Sequence, residues 1–210
     1  DLLAALSDAA EKDVGTAFKT FLFQPGVPLV ETDPIAPINP YGHTKAAIEH
    51  LLDQEDATGR VRSARLRYFN ACGASPDGAI GEDHDPETHL IPLVLDAALG
   101  KREDVKIFGT DYPTPDGTGL RDYIHVEDLA SAHLDALAYL RDGGDSVTLN
   151  CGYGHGYSVR EVLDTVQKVH GSPLNIIEAE RRAGDPPALI AGAEVSIAPK
   201  SPICGSAFSF

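Results

Sequence analysis

Tyr41 and Lys45, four apart in "INPYGHTKAAIEHLL" (38–52), are the pair with the most pointed chemistry in the sequence. The stretch reads as a helix from about Pro40 to Gln54. Proline suits its first turn, and Ala47, Ile48, Leu51 and Leu52 form an apolar stripe. Residues at i and i+4 share a helix face. A lysine ammonium beside a phenol favours the phenolate, so the tyrosine can act as a base near neutral pH. By spacing alone the pair reads as an ordinary neighbour contact, because a Tyr and a Lys four apart arise often by chance.

Three other groupings invite chemistry. Arg121 and Arg182 carry guanidinium forks that suit pyrophosphate; surface salt bridges are their plainer use. "NCGYGHGYS" (150–158) follows a strand and opens a helix, as a dinucleotide loop would. It does not match G-x-G-x-x-G, and no acid ends a second strand at the expected distance. It reads as a tight turn before a capped helix. "HDPETH" sets His84 and His89 five apart with acids between. Without an H-E-x-x-H pattern this is an ordinary polar loop, and no metal site is expected.

The elements that must position these residues alternate. A helix is predicted over 1–12, a short buried strand over 17–23 and a proline-rich loop over 24–40. After the Tyr41 helix come a strand over 61–69, a long loop over 70–89 and a helix over 90–100 stopped by Gly100. Then follow a strand at "DVKIFG", a Pro/Gly loop, a strand at "DYIHV" and a helix at "EDLASAHLDALAYL" with two acids in its first turn. A strand over 146–152, a helix opened by a Ser158/Glu161 capping box and a strand at "LNIIEAE" complete the series. Strands alternating with helices argue for an α/β fold with a largely parallel sheet.

The 210 residues can form one large domain or two small ones, and 42% hydrophobic with 23% charged residues fits a soluble globular protein. A net charge of −15 argues against a nucleic-acid partner. Cys72, Cys151 and Cys204 are far apart and form no C-x-x-C, so a reducing cytoplasm is expected rather than a disulfide or zinc framework. No apolar run approaches the roughly 20 residues that span a bilayer, and the N-terminus lacks a basic signal region. The chain has no Met and no Trp, which suggests a processed or partial product.

"NPYGHTK", "LRYFNACGASPDGAIGEDH", "THLIPLVLDAALGKR", "IFGTDYPTPDGTGLRDYIHVEDLASAHLDAL", "LNCGYGHGYSVREV" and "RRAGDPPALIAGAE" occur in that order. Together they resemble the UDP-glucose 4-epimerase family of the extended short-chain dehydrogenases/reductases, over roughly residues 17–194. The resemblance implies a Rossmann-like doubly wound sheet with a smaller substrate domain, NAD as cofactor and a UDP-sugar as substrate. It implies that Tyr41 takes the proton of the sugar 4-hydroxyl while Lys45 supports the phenolate and holds the nicotinamide ribose, with Tyr68 beside the nicotinamide. Asn70, His89 and Leu90 then contact the nucleotide sugar, and Lys106 and Phe108 lie near the uridine. Arg121, Arg182 and Asp185 fall on diphosphate and nucleoside contacts. Leu189 falls where side-chain bulk decides whether an N-acetylated sugar fits. A homodimer through helices of the nucleotide-binding domain is also implied.

The departures shape the expectation for this chain. The family begins with a strand and a Gly-x-x-Gly-x-x-Gly loop, which these residues do not contain. A Ser-Ser-x-x-x-Val-Tyr-Gly-like stretch that assists the tyrosine is missing where "FLF" runs into "QPGVPLVE". After Glu194, "VSIAPKSPICGSAFSF" (195–210) fits nothing in the family and reads as an aberrant tail. The expected organisation is a remnant of the NAD-binding domain over 1–75 and 120–142, with a substrate domain over 76–119 and 147–194. The expected state is an inactive partial chain. The rivals are a UDP-arabinose or UDP-glucuronate 4-epimerase, a non-catalytic UDP-sugar-binding remnant, and a product with no stable fold.

Overall fold

A computed structural model describes residues 28–37 and 40–192. The helix expected over 1–12, the strand over 17–23 and the tail from Val195 lie outside the described residues.

Helix α1, Pro40–Ala57, begins on the proline and runs past the expected end at Gln54. Its apolar stripe is not buried: Ile48 and Leu51 stand exposed, and no described residue of this helix is buried. Strand β1, Ala64–Tyr68, runs parallel to β5, Val147–Cys151, with Ala64 opposite Val147 and Tyr68 opposite Cys151. Strand β2, Asn70–Cys72, runs parallel to β4, Leu120–His125, with Asn70 opposite Tyr123. At Leu120 and Arg121, β4 is flanked by β6, Gly156–Ser158, antiparallel on one edge and by β8, Ala188–Leu189, parallel on the other. Strand β3, Val105–Phe108, pairs in parallel with β7, Ile176–Ala179. Helices α2 (Leu90–Ala98), α3 (Val126–Arg141) and α4 (Val159–His170) complete the described α/β arrangement. Among the described residues no helix is long and apolar enough to cross a membrane.

Three short strands correct the sequence reading. Asn70–Cys72 is a strand rather than the start of a loop, Gly156–Ser158 a strand rather than a turn, and Ala188–Leu189 was not foreseen. All three exist because they pair with β4 or its surroundings, far away in sequence. Two or three residues are too few to show a hydrophobic period.

The largest described core lies where α2 and α4 cover β3. Val94, Val105, Ile107 and Leu163 are almost wholly buried, with Leu90, Ala97, Val159, Val166, Leu174 and Ile176 packed against them. The spacing explains the set. Leu90, Val94 and Ala97 recur at helical intervals on α2, as do Val159, Leu163 and Val166 on α4. Val105 and Ile107 share one face of β3, which turns Lys106 and Phe108 to the other. Helix α4 opens on the expected capping box: Glu161 N donates to Ser158 Oγ at 3.0 Å, and Ser158 N donates to Glu161 Oε2 at 2.7 Å.

Candidate functional site

The face of β3 turned from this core, the N-terminus of α2, strands β2 and β4 and the 181–185 segment enclose a cavity of about 550 Å³. Small-molecule sites run from roughly 300 to 1,000 Å³. Alternation places the lining. On β4, Asp122 and Ile124 are buried, so Arg121 and Tyr123 share the opposite face and line the cavity. On β2, Asn70 and Cys72 do the same, and on β3, Lys106 and Phe108. His89 is the N-cap of α2 and Leu90 its first residue; both line the cavity.

Of the twelve residues that sequence reasoning singled out, the cavity gathers Asn70, His89, Leu90, Lys106, Phe108, Arg121, Arg182 and Asp185. Arg121 Nη2 donates to Asp185 Oδ1 at 2.6 Å, and its Nη1 to the Leu120 carbonyl at 2.8 Å. The Arg182 guanidinium lies 3.9 Å from the Phe108 ring centroid, a cation–π stack that holds it beside β3. Arg181 makes a similar stack on Tyr112 at 4.3 Å and donates to Asp111 Oδ1 at 2.6 Å. The lining carries Arg102, Lys106, Arg121 and Arg182 against Glu82, Glu87 and Asp185. In a chain of net charge −15, this concentrates cations around one apolar-walled opening, which is what an anionic ligand requires.

The other four residues lie outside the lining. Leu189 sits on β8 opposite Arg121. Tyr41 is 70% exposed, and Lys45 Nζ stands 5.3 Å from its ring centroid. Tyr68 is half exposed on β1, its ring 6.2 Å from that of His133. The helical spacing therefore does bring Tyr41 and Lys45 together, while this structure keeps the pair apart from the cavity lining.

Sequence reasoning missed Cys72, Tyr112 and Tyr123 in the lining. Strand alternation from Asn70 and Arg121 could have found Cys72 and Tyr123. Burial pushes the Tyr123 phenol up to about 12, and burial, with Glu82 nearby, pushes the Cys72 thiol up. Both remain neutral near pH 7. Tyr112 is held by a closed loop in which Tyr112 N donates to the Gly117 carbonyl at 2.9 Å. Gly117 has φ +80, and a Cβ there would meet the Thr110 carbonyl oxygen at 2.2 Å, so the turn needs glycine.

Asp122 was also missed. It is wholly buried, and its carboxylate accepts from the amides of Tyr153 at 3.0 Å, Gly154 at 2.9 Å and Ala191 at 3.1 Å. It thereby ties β4 to the glycine-rich 152–156 turn and to the chain after β8. Gly152 permits this approach, since a Cβ there would meet Asp122 Oδ2 and the Ala191 Cβ, each at 2.6 Å. Within "NCGYGHG" it is Gly152 that makes room for this buried carboxylate.

An α/β fold with parallel pairing and a cation-lined cavity against one strand face fits the nucleotide-binding dehydrogenase-like class. The model of the NAD dependent epimerase/dehydratase family matches residues 20–152, and the chain belongs to that family. The chain is 55% identical over 172 residues to the UDP-glucose 4-epimerase of Rhizobium meliloti, covering 82% of this chain and 52% of that protein. Among solved structures it resembles UDP-glucose 4-epimerase from Brucella ovis in complex with NAD, with a TM-score of 0.75, 47% identity, and 80% and 51% of the two chains covered. It also resembles the Stenotrophomonas maltophila UDP-glucose-4-epimerase with bound NAD and formylated UDP-arabinopyranose, with a TM-score of 0.76, 43% identity, and 80% and 51% covered. The chain spans about half the length of the curated relatives it matches.

The residues here fit the NAD of those neighbours at one end only. Tyr41 and Lys45 present a phenol and an ammonium side by side on an open helix face. Among the described residues no glycine turn has the G-x-G-x-x-G form that would cradle a pyrophosphate.

Proposed function

We propose that the chain carries the UDP-sugar-binding half of a UDP-glucose 4-epimerase, the enzyme that interconverts UDP-glucose and UDP-galactose. One observation carries the reading: eight residues chosen from the sequence line a single cavity of ligand size. In this reading Arg121 and Arg182 grip the diphosphate. Phe108 and Lys106 flank the uridine, and Asp185 orients Arg121 and meets the nucleoside. Asn70, His89 and Leu90 lie toward the sugar. Leu189, across from Arg121 in the ladder, limits the room for a substituent on the sugar.

NAD, when held beside Lys45 and Tyr68, would supply the reversible hydride acceptor for the sugar C4. In the complete site the Tyr41 phenolate oxygen takes the 4-hydroxyl proton and gives it back. The Lys45 ammonium holds negative charge on that oxygen and binds the nicotinamide ribose, with Tyr68 beside the ring. The 210 residues alone are read as catalytically silent. Hydride transfer needs reacting atoms roughly 3–3.5 Å apart, and Tyr41, Lys45 and Tyr68 lie outside the cavity lining. The division into a nucleotide-binding part (1–75 and 120–142) and a substrate part (76–119 and 147–194) belongs to the same reading. So does a cytoplasmic setting for the free thiols Cys72 and Cys151. Homodimerisation through α1 is supported by its exposed Ile48 and Leu51.

Calorimetry with UDP tests the binding site. Charge-assisted hydrogen bonds are each worth about 1.5–3 kcal/mol, and 1.4 kcal/mol is about tenfold in affinity. Arg121→Ala and Arg182→Ala are each expected to weaken UDP by at least about tenfold. UDP binding that neither substitution changes would remove the assigned diphosphate site. Turnover of UDP-galactose with added NAD, above a Tyr41→Phe control, would overturn the silent-fragment reading.

A further inference from the structure

The loop from β2 to α2, residues 74–89, carries five carboxylates and no lysine or arginine. Its first turn is closed by Ser75: Ser75 N donates to the Ile80 carbonyl at 2.8 Å, and Ile80 N to Ser75 Oγ at 2.9 Å. Beyond that turn the chain folds back on itself. His84 Nδ1 stands 3.0 Å from Glu82 Oε1, and His89 Nδ1 lies closer still to the same oxygen. Glu87 completes the set, with Oε2 3.7 Å from His84 Nδ1 and Oε1 3.5 Å from His89 Nδ1. One donor atom from each of the four residues lies within 4.8 Å of the others.

We propose that Glu82, His84, Glu87 and His89 form a binding site for a divalent transition-metal ion of the zinc class. Spacing in the sequence suggests only a polar loop; the fold brings the four side chains together. Donors around a tetrahedral ion with bonds of about 2.0–2.1 Å stand about 3.3–3.4 Å apart. Glu82 Oε1 and Glu87 Oε2 stand 3.0 and 3.7 Å from His84 Nδ1, on either side of that value, while the His89–Glu82 pair is closer and would open to admit the ion. Two imidazoles and two carboxylates suit Zn²⁺, Co²⁺ or Ni²⁺ better than Mg²⁺ or Ca²⁺, which prefer an all-oxygen shell.

Two further observations point to a ligand. His89 occupies the N-cap of α2 but its side chain makes no cap bond; the ring is turned to Glu82 instead. Glu87 is anchored by its own backbone, since Oε1 accepts from Thr88 N at 2.6 Å and His89 N at 2.7 Å. Oε2 is left facing His84. Among the described residues neither Glu82 nor Glu87 pairs with a lysine or arginine. A dication would neutralise the two carboxylates, and its lone-pair donors would be the two Nδ1 atoms now converging on carboxylate oxygens. Glu82, Glu87 and His89 also line the large cavity, so the ion would staple its rim and fix His89.

The test uses the 210-residue chain after chelator treatment, with no nucleotide present. Titration with Zn²⁺ alone should show one equivalent bound, and Co²⁺ should give the strong visible bands of a four-coordinate, nitrogen-ligated ion. Loss of an outer-shell partner alone typically costs about 10–100-fold in metal affinity. His84→Ala, His89→Ala and Glu82→Gln should therefore each weaken Zn²⁺ by at least about tenfold. His170→Ala, at the far end of α4, should not. Zn²⁺ binding of unchanged affinity in the His84→Ala/His89→Ala double variant would overturn the site, as would no binding by the parent at about 100 times a micromolar Kd. Should the double variant unfold, the Co²⁺ spectrum of the unmodified chain decides, and the weak bands of a hydrated octahedral ion would overturn the proposal. A chain that binds Zn²⁺ but not UDP keeps this site and loses the nucleotide reading; the converse loses only this site.

Discussion

Replacing Asp122 tests the buried connection behind the cavity. Its carboxylate holds three backbone amides, those of Tyr153, Gly154 and Ala191. Asp122→Ala removes all three acceptors. An amide left buried without a partner costs about 1–3 kcal/mol. Ala191 is 95% buried, taking its 5% exposure from the whole, so its amide is expected to bear most of that cost. Gly154 is exposed and Tyr153 half-buried, so water can reach their amides and roughly halve the loss at each. The sum is about 4 kcal/mol, a large part of the roughly 5–15 kcal/mol that holds a domain folded. Asp122→Asn keeps one carbonyl oxygen. Placed where Oδ2 now is, it still accepts from Gly154 and Ala191, while its amide group faces the Tyr153 N–H. The expected cost is about 2 kcal/mol. Urea unfolding followed by circular dichroism measures both, with Asp111→Ala as a control. Asp111 pairs with Arg181 at the surface, where water screens the ion pair, so its loss should leave the unfolding curve almost unchanged. The reasoning fails if Asp122→Ala loses less than about 1 kcal/mol, or if Ala and Asn cost the same.

Other outcomes follow from single contacts. Ser158→Ala removes the N-cap of α4 and a hydrogen bond to Asp116, and should lower stability by about 1–2 kcal/mol in the same unfolding assay. Burial raises the Tyr123 phenol to about 12; the Tyr153 phenol also reaches about 12, through burial and then its bond to Asp128. The folded chain therefore holds these protons more tightly than the unfolded chain, whose tyrosines titrate near 10. Their contribution is whole below about pH 10 and is lost as pH rises toward about 12. Melting temperatures across that window should fall less steeply in Tyr123→Phe; an unchanged slope would contradict the burial argument. Ile48→Asp with Leu51→Asp should convert any dimer to monomer in sedimentation, and an unaltered dimer would exclude α1 as its interface.

Much of the scaffold was legible in local pattern. The capping box of Ser158 and Glu161, the Gly100 stop and the acids opening α3 act within one or two turns of chain, so sequence neighbours are also spatial neighbours. The i to i+4 spacing of Tyr41 and Lys45 likewise guarantees their proximity and nothing more. Strands β2, β6 and β8 were not legible, because their hydrogen bonds are made to β4 and no residue nearby in sequence announces it.

For the site, residue types and order alone selected the arginines, Phe108, Lys106 and Asp185, through resemblance to related chains and the match of guanidinium to phosphate. Only the tertiary structure decided which of the chosen residues share one cavity and which stand apart on α1 and β1. It also disclosed Asp122 under the site and drew Glu82, His84, Glu87 and His89 into one cluster. Sequence determines how a short segment prefers to bend and which face it shows. Which remote segments meet depends on the competition among all their packing and hydrogen-bonding alternatives, and that is resolved only when the chain closes on itself.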